Sequence, residues 1–94
     1  MERLTVLGMD GRYSVTDDEI NSAIQKLGLF EDAYDDLIAS IERIPSELEE
    51  MRVQGKEKTV RYKETVAQKL INNSILAFFE RHGFNMDYDK HESN

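Results

Sequence analysis

At 94 residues and 10.9 kDa, the chain has the size of one domain with a modest core. Hydrophobic residues make up 39% and charged residues 33%, a balance suited to long helices that each bury a single apolar stripe. The lack of cysteine excludes disulfides, thiolate catalysis and cysteine-held zinc, and a net charge of −7 disfavours nucleic acid as a partner of the whole chain.

The apolar run near the N-terminus is far too short for a signal peptide, and no stretch is long enough to span a bilayer. The expected compartment is therefore the cytoplasm, with no membrane partner. Charge is unevenly spread. Residues 1–51 carry a net −9, residues 52–69 a net +4 and residues 70–94 a net −2.

In chain order, residues 1–15 offer two short β-favouring runs, Leu4–Leu7 and Arg12–Val15, around a Met9-Asp10-Gly11 turn. Asp-Gly is a common hairpin dipeptide, so this segment predicts an optional β-hairpin arm. A lone hairpin of this length is marginal in water and needs something to pack against.

A first helix is predicted over 16–28. Thr16 and Glu19 have capping-box spacing, Asp17 and Asp18 put negative charge at the helix's positive end, and Ile20, Ala23, Ile24 and Leu27 share a face. Gly28 supplies a stop signal. A second helix follows over 30–54, where Phe30, Tyr34, Leu37, Ile41, Ile44, Leu48 and Met51 alternate steps of four and three. That is a heptad seam, the pattern of a helix packed lengthwise on another. Pro45 interrupts the chain without shifting the seam's phase, which favours a kink over a break.

Gly55 is the natural end of this helix, and a third is predicted over 58–83, closed by Gly83. On a helical wheel Val60, Ala67, Ile71, Ser74 and Phe78 centre one face, widened by Val66, Leu70, Ile75 and Phe79, with Tyr62 and Leu76 on the far side. The 84–94 tail begins with Phe84 and Met86, which can still pack, and turns polar after Tyr88. The fold class expected is thus all-α: a small three-helix domain built on a long antiparallel helical hairpin, preceded by the β-hairpin arm.

A short link at Gly55 makes the flanking helices antiparallel neighbours. With the turn centred at residues 55 and 56, Met51 falls opposite Val60, Ile44 opposite Ala67, Ile41 opposite Leu70, Leu37 opposite Ser74 and Tyr34 opposite Phe78. The same register sets Glu50 near Arg61, Glu49 near Lys63 and Glu42 near Lys69. On this reading the basic stretch neutralises the acidic helix beside it. The competing reading is a phosphate contact formed by Arg52, Lys56, Lys58, Arg61 and Lys63 at the hairpin tip.

Groups able to do chemistry are scarce. Asp10, Gly11, Ser14 and Asp17 echo half of a calcium loop, but Val6 and Gly8 stand where its first oxygen ligands belong. His82 suits the negative end of the last helix, whereas Asp87, Asp89 and His91 sit in a tail that makes a poor scaffold for a metal. Gly55-Lys56 lacks the flanking residues of a phosphate-binding loop, and neighbouring carboxylates such as Asp35 and Asp36 diverge on a helix. Hence no catalytic, cofactor or metal residue is expected, and the chain is not expected to be an enzyme.

The apolar cluster late in the last helix is the remaining signal. Leu76, Phe79, Ile75 and Tyr62 are the expected interface residues, because they exceed what one neighbouring helix can cover. The functional expectation is a protein-interaction or regulatory domain that presents helical surface and self-associates as a homodimer. Two further readings are a nucleic-acid-associated protein using residues 52–63 and an acidic adaptor that imitates the charge of DNA.

Overall fold

The structure, a computed structural model, describes residues 2–85. Met1 and residues 86–94 fall outside, so the expectations for Met86, Asp87, Asp89 and His91 are not addressed by it. The chain is mostly helical, and it divides into two compact units, Met1–Asp36 and Leu37–Asn94.

The first unit opens with the antiparallel strands β1 (Val6–Leu7) and β2 (Tyr13–Ser14), with Val6 paired to Ser14 and Leu7 to Tyr13. The turn between them explains the sequence. Gly11 N–H donates to the Gly8 carbonyl at 3.1 Å, and Gly8 N–H donates to the Arg12 carbonyl at 2.8 Å. Asp10 Oδ1 accepts from the Arg12 N–H, and Gly11 sits at φ 82°. A tight turn followed by a left-handed residue is the usual three-residue hairpin loop, and glycine adopts that conformation without a Cβ clash.

A short 3₁₀ turn, Asp17–Glu19, leads into α1 (Ile20–Val53). The expected capping box does not form: the Thr16 side chain makes no cap hydrogen bond, and its backbone carbonyl accepts from Glu19 N–H at 3.0 Å. The tight 3₁₀ winding already gives the Glu19 amide its partner, and the acidic residues still precede the helix's positive end.

Gly28 does not stop the helix. The predicted 16–28 and 30–54 helices are one, and among the described residues α1 and α2 (Val60–Arg81) are the α-helices. Gly28 has no positive φ and lies inside α1, in its third turn. A glycine inside a helix costs only about 1 kcal/mol relative to alanine, while breaking a helix forfeits the hydrogen bonds of a full turn and requires a new nucleus. Leu27, Leu29 and Phe30 on either side are ordinary helix residues, so continuation wins. Pro45 also stands inside α1 without ending it.

In the second unit α1 ends as the glycine predicts. Gly55, at φ 71°, donates to the Arg52 carbonyl at 3.0 Å, and Lys56 N–H donates to the Met51 carbonyl at 2.9 Å. This pair of bonds is the Schellman motif, which satisfies the last carbonyls of a helix. Thr59 then caps α2: its hydroxyl accepts from Tyr62 N–H and donates to the Lys56 carbonyl. The far end of α2 repeats the device. Gly83 at φ 80° donates to Glu80, and Phe84 N–H donates to Phe79. The Phe79 and Phe84 rings meet at 5.8 Å, the hydrophobic contact that accompanies this motif.

The core of this unit consists of the α1 residues Ile44, Leu48 and Met51, joined by Asn72 of α2. The seam expected on α1 is therefore the buried one.

Two glycine substitutions test this account by thermal or chemical unfolding. Gly28→Ala should raise stability by about 0.5–1 kcal/mol, because a Cβ there meets no other atom and helix propensity improves. Gly55→Ala should lower it by about 1 kcal/mol or more, because its left-handed φ penalises any Cβ.

Candidate functional site

Hydrogen bonds between α1 and α2 show their register. Asn72 Nδ2 donates to Ser40 Oγ at 2.8 Å, and Arg52 Nη1 donates to the Tyr62 hydroxyl at 3.0 Å. Both pairs lie within three residues of the register expected from a turn at Gly55. The antiparallel hairpin is thus present, and its register is close to the one read from the sequence.

The rotation of α2 is different. Its inward side carries Tyr62, Thr65, Val66, Asn72, Leu76 and Phe79, all buried or half-buried. The residues expected to face α1 point the other way: Val60 is 70% exposed, Leu70 63%, Ile71 51% and Phe78 49%. Ala67 and Ser74 are exposed beside them. The helix is turned by about half a revolution, at 100° per residue, from the expected orientation.

The cause is polar. Asn72 is only 4% exposed, and its amide is satisfied on both sides, donating to Ser40 and accepting from Gln68 Nε2 at 2.8 Å. Turned outward, Asn72 would give up the Ser40 bond and leave that hydroxyl facing apolar residues, and an unmatched buried polar group costs about 1–3 kcal/mol. No buried side-chain nitrogen or oxygen among the described residues lacks a partner.

This changes the standing of each expected interface residue. Tyr62, Leu76 and Phe79 are half-buried, and of the four only Ile75 is exposed. The exposed apolar stripe is instead Val60, Ala67, Ile71, Ser74 and Phe78, with Leu70 and Ile75 on its flanks. The stripe is visible in the sequence, but it faces outward where the expected register turns it toward α1.

The expected charge pairing also needs correction. Among the described residues the two ion pairs lie within α1, Arg43 with Glu47 at 2.9 Å and Arg52 with Glu49 at 3.0 Å. The pairs Glu50–Arg61, Glu49–Lys63 and Glu42–Lys69 do not form. Side chains one helical turn apart meet more readily than long, solvated side chains on separate helices. Arg52 is held by the Tyr62 hydroxyl and then by Glu49, which together favour its protonated form beyond the ordinary guanidinium.

Lys56, Lys58, Arg61 and Lys63 are consequently exposed without an ion-pair partner among the described residues. Arg52, also exposed, is engaged by Glu49 and the Tyr62 hydroxyl and so does not join them. At the tip, an open groove of about 350 Å³ is lined by Glu47, Glu50, Met51, Gln54, Lys56, Thr59 and Arg61. Its two carboxylates oppose an anion as strongly as its two cations attract one.

Among the described residues no group of three or more histidine, cysteine or carboxylate side chains is placed to hold a metal ion. His82 forms the C-cap of α2, its ring 4.8 Å from that of Phe78. No described helix is long and apolar enough to cross a membrane.

No protein-family model, curated protein or solved structure matches this chain.

The Asn72 account is open to a double-mutant cycle. Asn72→Ala should lower unfolding free energy by about 1–2 kcal/mol, and the loss should shrink when Ser40→Ala is already present. Additive losses would show that the amide does not act through Ser40.

Proposed function

We propose that this chain is a non-enzymatic interaction domain whose contact surface is the outer stripe of α2. One observation carries the reading: Val60, Ala67, Ile71 and Phe78, with the small Ser74 among them, stand exposed on the side of α2 turned away from α1. Their spacing is that of a packing helix, and Leu70 and Ile75 broaden the face. Monomeric proteins rarely leave such contiguous apolar surface in water. The stripe sits on a helix fixed at both ends by capping motifs, so it is presented as a rigid surface with little ordering cost on binding.

A second reading concerns the tip. The cations Lys56, Lys58, Arg61 and Lys63 are not neutralised inside the hairpin, which supports contact with a phosphate backbone. Binding of that kind weakens steeply with salt, and losing both Lys58 and Arg61 should reduce the slope of log affinity against log salt by about two. Glu47 and Glu50 in the same groove favour the first reading.

The main proposal is tested in cells expressing a tagged chain, by native size fractionation of the lysate. The chain should run well above its 10.9 kDa mass. An Ile71→Glu, Phe78→Glu variant should return to the free mass with helicity unchanged, since both side chains are about half exposed. A wild-type chain that runs at its free mass overturns the proposal.

A further inference from the structure

We infer that the outer stripe of α2 packs antiparallel against the same stripe of a second copy of this chain, Val60 opposite Phe78 and Ala67 opposite Ile71. The inference rests on the reading of this face as a contact surface and names its occupant.

The stripe is complementary to its own reverse. Running α2 against a reversed copy about a point near Lys69 sets the small Ala67 against the larger Ile71 and the short Val60 against Phe78. Large side chains facing small ones let two helices approach and interdigitate, as knobs-into-holes packing requires. The same reversal brings Glu64 level with Ser74, so no carboxylate faces another across the middle.

Charge selects the direction. In a parallel pair Lys58, Lys63 and Arg81 would each lie level with their own duplicates, and like charges at that range repel. The reversed arrangement sets Glu57 of one copy level with Arg81 of the other, where signs are opposite.

A second copy also explains why one helix carries two apolar faces. The inner face, Tyr62 to Phe79, closes the hairpin, and the outer face joins two hairpins into a four-helix arrangement.

The chain has no cysteine, so introduced thiols report geometry without interference. Val60→Cys and Phe78→Cys chains, mixed and mildly oxidised, should give a mixed covalent dimer as the main linked product. Each variant alone should stay unlinked, because reversed copies hold their identical positions about 27 Å apart. Circular dichroism confirms that both variants are folded. Self-linking of either variant without mixed product would mean a parallel pair and overturn the inference; no linking in the mixture would overturn it as well.

Sedimentation of the unmodified chain at micromolar concentration supplies the independent measurement, with twice the chain mass expected. A monomer there, alongside a large complex in cells, would refute the second copy yet leave the contact face standing with another protein on it. A monomer in both would refute both.

Discussion

Asn72, buried on α2, donates to the Ser40 hydroxyl of α1, and Gln68 completes its amide from the adjacent turn of α2. That arrangement constrains everything around it. An amide can be buried only where its donors and acceptors are matched, so Asn72 admits one orientation of α2 against α1. Apolar contacts alone are less selective, because α2 has apolar residues on both sides and either could cover Ile44, Leu48 and Met51. The polar contact settles the choice, and the outward stripe is its direct consequence.

The tip of the hairpin works by the same economy of means. Gly55 and Thr59 each satisfy a helix end with local bonds, so the turn needs no partner elsewhere in the chain. Arg52 is tied to Tyr62 across the turn, which joins the end of α1 to the beginning of α2. The remaining cations stand in water and contribute little to holding the helices together. Opposite net charge on the two helices is therefore a property of the surface and not the cause of the fold.

Much of this was legible from residue order. The left-handed glycines Gly55 and Gly83 marked helix ends because a following break in periodicity agreed with each of them. The seam through Ile44, Leu48 and Met51 identified the buried side of α1, and the short link fixed an antiparallel register to within three residues. Three features were not legible. Gly28 resembled a stop, but the helix-forming residues after it overrode a small local cost. Thr16 had the spacing of a cap, but a 3₁₀ turn gave Glu19 a backbone partner instead. The inner face of α2 was hidden because a buried asparagine reads as polar, and only its match to Ser40 on another helix makes it an interior residue. Wheel-based reading weighs hydrophobicity and has no access to such a pairing; the site was recovered as a set of residues and lost as a direction.

The tight link at Gly55 has a kinetic consequence. Segments joined by so short a connection search little conformational space before meeting, so ordering is expected to begin at the tip and proceed along the paired helices. Helical topologies with such local pairing reach the native state in microseconds to milliseconds. The outer stripe would then be displayed on an already formed hairpin, and any docking through it would follow as a separate, concentration-dependent step.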